Sequence, residues 1–525
     1  MKFIKIFVLS LFSLTMTAQT ADKSLAKKGA LTEQQLQRWS HLDLVKDSIP
    51  GMSIDKAYNE LLKGKKSTKV IVGVIDSGVD IDHADLKGKI WTNTKEIAGN
   101  GIDDDKNGYI DDVHGWNFLG ESNNENLELV RMIKKADDGS EVYKAALADY
   151  DKKNEKMLKE KFQVDFIVAA DKNVREYLKK EDYTAEDVNA INTTDKKIYQ
   201  SKMVMLSMIE QAGPGFRDEI NEYKEYIYDQ ANYNLNKEFD GRKLVGDNPE
   251  DLKDKKYGNN VVYSKDRKDS LHGTHVAGII AQVRDNGIGG DGVANNVEIL
   301  PVRAVPNGDE YDKDIALAIR YAVDNGAKVI NGSFGKDYSP QKEWVWDAMK
   351  YAESKDVLLV FAAGNDGKNI DVEPSFPADT KDKKIEITKN VITIGALDNQ
   401  FGENMIADFS NYGQKNVDIF SPGVKIYATV PDNKFKYEQG TSMASPNAAG
   451  VAALIRSYYP NLKAAQVKQI IMQSGTAVNF DVVVGKDAEK MPFSKTCVSG
   501  KIVNAYNALK MADEMSKKTQ KSPKL

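Results

Sequence analysis

The chain has 525 residues, of which 41% are hydrophobic and 29% charged, and its formal net charge is -5. That length and apolar share support a substantial buried core and more than one compact unit, while the mildly acidic balance gives no reason to expect nucleic acid as a partner. Its one cysteine, Cys497, rules out an intramolecular disulfide, so stability must come from packing or bound ions.

From the N-terminus, Lys2 and Lys5 precede an apolar run over residues 6–14 and the small-residue Thr17-Ala18-Gln19. This order of charge, apolar run and small residues predicts a secretory signal over residues 1–18 and a secreted or periplasmic location. The run is too short to span a bilayer. Residues 19–68, with Trp39, His41 and Tyr58, are expected to form an N-terminal arm or a short prosegment. Residues 70–75 are continuously apolar, as in a strand buried on both faces of a parallel sheet. Asp76-Ser77-Gly78 follows. Asp76 either caps a turn or stands at the carboxyl end of that strand, where open α/β sheets carry their sites.

Residues 100–112 place Asp103, Asp105, Asn107 and then Asp111 or Asp112 around glycine turns, with the Tyr109 carbonyl between them. Hard oxygen donors in that rhythm suit a structural calcium ion; the alternative is a solvated acidic turn. Residues 121–256 are rich in Lys, Glu, Asp and Tyr, with charged helical patterns over 141–161 and 216–237 broken by Gly213-Pro214-Gly215. They read as an inserted helical subdomain, either a solvated ornament or an element that gates a cleft or binds a partner.

His272, in Leu271-His272-Gly273-Thr274-His275, opens a helix of glycine and small apolar residues, so its ring can project as a general base. His275, three residues on, reads as structural, because no second cluster of metal ligands accompanies the pair. Apolar runs at 297–302, 329–330, 357–361 and 391–394 alternate with helical patterns such as 315–323 and 344–352. This predicts an α/β fold with a doubly wound, mostly parallel sheet and helices on both faces. Finally, Gly440-Thr441-Ser442-Met443-Ala444-Ser445-Pro446 puts Ser442 at the start of a small-residue helix. Taken alone, that serine is equally a helix cap and a nucleophile, which would need a base, an orienting carboxylate and oxyanion donors.

Together, the segments at Asp76, His272 and Ser442 resemble the signatures of subtilisin-like serine proteases, the subtilase family, in that family's chain order. The order Asp, His, Ser separates the chain from α/β-hydrolases, whose nucleophile sits in G-x-S-x-G. The resemblance covers residues 69–120 and 257–512, taken as a catalytic domain split by the insertion 121–256; the polar, lysine-rich residues 513–525 are expected to be disordered.

The resemblance implies a triad in which Ser442 attacks, His272 transfers the proton and Asp76 orients the imidazole. It also implies that Asn365, in Phe361-Ala362-Ala363-Gly364-Asn365, donates to the oxyanion. Ser333-Phe334-Gly335 then corresponds to the segment that pairs with an extended peptide, and Ser375, before Phe376-Pro377, to the base of the primary specificity pocket. A small residue there leaves room for large apolar side chains. The expected partners are polypeptide substrates, and the expected activity is endopeptidase hydrolysis through an acyl-enzyme. The competing classes are a binding protein on an inactive scaffold, which would have lost a triad residue, and another serine hydrolase, which the triad order opposes.

Overall fold

The computed structural model describes residues 20–27 and 29–521, so the expected signal over 1–18 lies outside the described residues. Fourteen strands follow in chain order among the described residues: β1 Thr20–Ala21, β2 Val70–Asp76, β3 Trp116–Asn117, β4 Val297–Arg303, β5 Val329–Gly332, β6 Leu358–Ala362, β7 Val391–Leu397, β8 Ile419–Pro422, β9 Ile426–Val430, β10 Lys434–Glu438, β11 Thr476–Val478, β12 Asp481–Val484, β13 Glu489–Pro492 and β14 Lys501–Ile502. Ten form one sheet in the order β1-β11-β14-β8-β7-β6-β5-β2-β4-β3. All its pairings are parallel except β11 with β14. β9 with β10 and β12 with β13 make two separate antiparallel ribbons.

The continuous apolar runs are explained by this sheet's two covered faces. Successive strand residues point to opposite sides, so Val72, Val74, Leu358 and Val360 join one core while Ile75, Leu359, Phe361 and Ile330 join the other. The helices Leu271–Ala281 and Thr441–Tyr458 contribute to the first core, and Asp312–Asp324 and Lys342–Ser354 to the second. The expected doubly wound sheet with helices on both faces is present.

The N-terminal arm is woven into this unit. Ile49, Met52 and Ile54 are wholly buried in the first core, and the Trp39 indole donates to the Val424 carbonyl at 3.0 Å. β1 extends the central sheet beside β11. At the other end, of the stretch 513–525 expected to be disordered, residues 513–521 instead continue the helix Ala505–Lys521, and residues 522–525 lie outside the described residues. The helical spacing of small and apolar residues (Ala505, Ala508, Leu509, Ala512) buries one face, and the Ser516 hydroxyl donates to Asn461 at 2.8 Å beyond residue 513. Charge composition alone overlooked that periodicity.

The insertion is helical, as expected, but its first long helix runs Glu141–Leu178, 38 residues, or about 57 Å at the usual rise. Together with Lys196–Ala212 and Phe216–Asp229 it encloses its own small core around Val174, Val188, Met205 and Phe216. Buried ion pairs pin its end to the sheet domain: the Arg242 guanidinium holds Asp314 at 2.6 Å, and Lys313 holds Asp247 at 2.5 Å. Among the described residues, no helix is long and apolar enough to cross a membrane.

Candidate active site

Asp76 ends β2, where the central strands open at their carboxyl ends, and it is 1% exposed. Its Oδ1 accepts from the Ser77 amide at 2.8 Å and lies 2.7 Å from His272 Nδ1. The close approach depends on the glycine after the histidine: a Cβ on Gly273 would stand 2.2 Å from the Gly78 carbonyl oxygen and 3.1 Å from Asp76. A larger residue would push the helix Leu271–Ala281 away and break the pair. Burial disfavours the charged imidazole, but the Asp76 charge and hydrogen bond outweigh that effect and raise the His272 pKa above its ordinary value. The buried ring of His275 gives its Nε2 to the Lys436 carbonyl at 3.1 Å. Burial lowers its pKa to about 4, so it stays neutral, in keeping with a structural role.

Ser442 opens the helix Thr441–Tyr458, which packs against the histidine's helix. Its hydroxyl donates to the Ser333 carbonyl at 3.3 Å, not to His272, and the Ser333 hydroxyl donates back to the Ser442 carbonyl at 2.9 Å.

Asn365 follows β6 and is oriented by a residue the sequence reading overlooked, Thr441. The Asn365 Oδ1 accepts from the Thr441 amide at 2.8 Å and its hydroxyl at 2.9 Å, while the same hydroxyl accepts from the Gly364 amide at 3.0 Å. With the oxygen so occupied, the Nδ2 donor is left for a ligand. A Cβ placed on Gly440, whose φ is 147°, would lie 3.3 Å from that Nδ2 and 3.5 Å from the Ser442 amide nitrogen. Both nitrogens thus lie close to one point beside the serine.

A cavity of about 360 Å³ adjoins these donors and is lined by Phe334, Gly335, Ser375, Asn365, Thr441 and Ser442. Phe334 is buried edge-on to Phe361, and the Ser375 hydroxyl donates to the Ala363 carbonyl at 3.4 Å. Leu127, Leu129 and Lys153 line the same cavity from the insertion; charge composition gave no signal for them. Arg303, at the end of β4, was also missed. Buried at 2% exposure, it donates to the Ser77 carbonyl at 3.0 Å and to the Ser122 carbonyl at 2.9 Å, tying the Asp76 turn to the root of the insertion.

In the acidic loop, Asp105 and Asp112 converge with Glu96, one ligand atom of each lying within 4.8 Å of the others. Glu96 lies upstream of the alternating pattern that drew attention to the loop. Burial pushes the Asp112 pKa up to about 6, and no ion pair reaches these three carboxylates among the described residues. Asp103 instead accepts from the amides of Asn107 and Gly108 at 3.0 and 2.9 Å, and Asp111 from those of Gly99, Asn100 and Gly101. Asn107 donates to Asp112 at 3.0 Å, and the Tyr109 ring packs edge-on to Trp116 and Tyr321. Two buried acids and a half-buried one, without a cationic partner, are the donor set that a hard divalent ion would satisfy.

Residues 67–490 match the subtilase family, peptidase S8. Three relatives show the same affinity. A thermophilic serine proteinase of Bacillus sp. (strain AK1) is 39% identical over 45% of this chain and 52% of its own length. The cell wall-associated protease of Bacillus subtilis (strain 168) is 40% identical over 42% of this chain and 23% of its own, and subtilisin DY of Bacillus licheniformis is 36% identical over 41% and 74%. The chain therefore belongs to the subtilase family. It spans about half the length of the first of these relatives and under a quarter of the second.

Proposed function

We propose that this protein is an exported serine endopeptidase that hydrolyses peptide bonds of polypeptides through an acyl-enzyme. The observation that carries this reading is the 2.7 Å contact between Asp76 Oδ1 and His272 Nδ1, on a helix packed against the one that Ser442 opens. Neutral His272 takes the Ser442 proton as the hydroxyl attacks the scissile carbonyl, then returns it to the leaving amine. Asp76 holds the ring so that Nε2 faces the serine. Asn365 Nδ2 and the Ser442 amide receive the oxyanion, and loss of one such donor typically costs on the order of 10²–10³ in turnover. Gly335 offers backbone to an extended peptide, and the Ser375 pocket takes the side chain next to the scissile carbonyl, with large apolar residues preferred. Export rests on the composition of residues 1–18.

We also infer a structural calcium site at Glu96, Asp105 and Asp112, supported by their convergence and by the burial of Glu96 and Asp112. Calcium would neutralise their mutual repulsion and clip residues 96–112 together; it takes no part in peptide cleavage.

Labelling by a serine-directed fluorophosphonate tests the catalytic reading. It should be lost in Ser442→Ala and fall on the order of 10⁴–10⁶-fold in rate in His272→Ala. Because the base must be neutral and its pKa is raised, the labelling rate should drop tenfold per pH unit below a midpoint lying above about 6.5. An unlabelled intact protein would point to an inactive scaffold, and a rate independent of pH would remove His272 as base.

A further inference from the structure

The insertion reaches the catalytic cavity, and the way it is fastened there assigns it a role in substrate choice that rests on the protease reading above. The segment after Ser122 lies along the loop that follows β4. Asn124 bridges Asn307 in parallel register, the Glu125 amide donates to the Asn307 carbonyl at 2.9 Å, and Arg131 donates to the carbonyls of Asp309 at 2.7 Å and Glu310 at 3.1 Å. The second fastening is to the segment expected to pair with a peptide. Lys336, directly after Ser333-Phe334-Gly335, buries its ammonium between Glu128 of the insertion at 2.8 Å and Asp312 at 2.9 Å. Pairs this buried lose several kcal/mol if one partner is removed, so this wall is rigidly attached to the cleft and does not act as a free flap.

On that wall, Leu127 and Leu129 present apolar surface to the cavity, and Lys153 of the long helix supplies a cation. The nearest carboxylate to Lys153 is Asp337, at 3.8 Å. Asp337 is also held closely by Lys368, so the Lys153 charge is only loosely committed. Its side chain is 44% exposed. The cavity is lined by Gly335 and Ser375, to which the protease reading gives the peptide backbone and the side chain next to the scissile carbonyl, so on that reading it lies on the acyl side of the scissile bond.

We propose that the insertion forms a substrate subsite for residues preceding the scissile bond, with Lys153 selecting an acidic side chain upstream of the one that the Ser375 pocket takes. An incoming carboxylate would make a charge-assisted hydrogen bond that Asp337, shared with Lys368, leaves available. A basic side chain would meet the Lys153 charge, which Asp337, itself held by Lys368, offsets only in part.

The test is cleavage of a peptide library, randomised on both sides of the scissile bond, by the unsubstituted protein and by Lys153→Glu and Lys153→Met. The unsubstituted protein should prefer acidic over basic residues at one of those upstream positions. That ratio should fall by about tenfold in Lys153→Glu and by an intermediate amount in Lys153→Met, whose side chain keeps the apolar stem. An acid-to-base ratio equal in all three chains, with the unsubstituted protein still labelled by fluorophosphonate, overturns the subsite alone. Absence of labelling in the unsubstituted protein overturns the protease reading beneath it.

Discussion

The helix that carries Ser442 and the long helix of the insertion are built by opposite rules. In Thr441–Tyr458 every residue from Met443 to Ser457 is buried, and small side chains let it lie close to its neighbours: a Cβ on Gly450 would come within 2.5 Å of Val293. The helix Glu141–Leu178 buries only Ala146, Met157, Val164, Ala170, Asp171, Asn173 and Val174 among its 38 residues. Along its exposed face run pairs such as Lys159 with Glu155 and Lys161 with Asp165, which solvent screens so that each contributes little. The first helix is held by tertiary packing and tolerates little change. The second is held by length, local pairs and anchors at its ends, and is free to vary along its outer face.

This contrast can be broken by measurement. The largest effect should come from Trp39→Ala, which empties a site in the catalytic core and removes the indole bond to Val424. A loss of about 3–5 kcal/mol is expected in denaturant unfolding, and a value below 1 kcal/mol would show that the N-terminal arm is not part of that core. Next comes the acidic loop. With calcium at about a hundred times its dissociation constant, chelation should remove about 2.7 kcal/mol of apparent stability, and Glu96→Gln should reproduce most of that loss. An unchanged melting temperature after chelation would sink the calcium site. The smallest effect should be Phe162→Ala on the insertion's outer face, where the ring is 75% exposed; within about 0.5 kcal/mol of zero is expected. A loss above 2 kcal/mol would mean that this face is covered by something.

Much of the catalytic unit could be read from residue patterns because its elements are local. The run at 70–75 is apolar throughout since both faces of β2 are covered, and Asp76 follows it directly. The residues that were missed act across long separations. Thr441 matters because its hydroxyl bridges Asn365 and Gly364, Glu96 because its carboxylate meets Asp105 and Asp112 across a turn, and Arg303 because it ties the Asp76 turn to the insertion. None of these carries a local signature. The tail misled for a different reason: its lysines suggested disorder, whereas the apolar spacing within Ala505–Lys521 placed a buried stripe beneath them.

By itself the sequence determined the strand and helix alternation, the three signatures at Asp76, His272 and Ser442, and the presence of a charged helical insertion. These depend on periodicity and on residues within a few positions of one another. Tertiary structure alone decided which acids meet at the loop, how Asn365 is oriented, and that Leu127, Leu129 and Lys153 face the cavity beside Ser442. The physical reason is that such contacts depend on how packed elements are placed across the sheet, and a buried lysine such as Lys336 finds its carboxylate only after the insertion has docked.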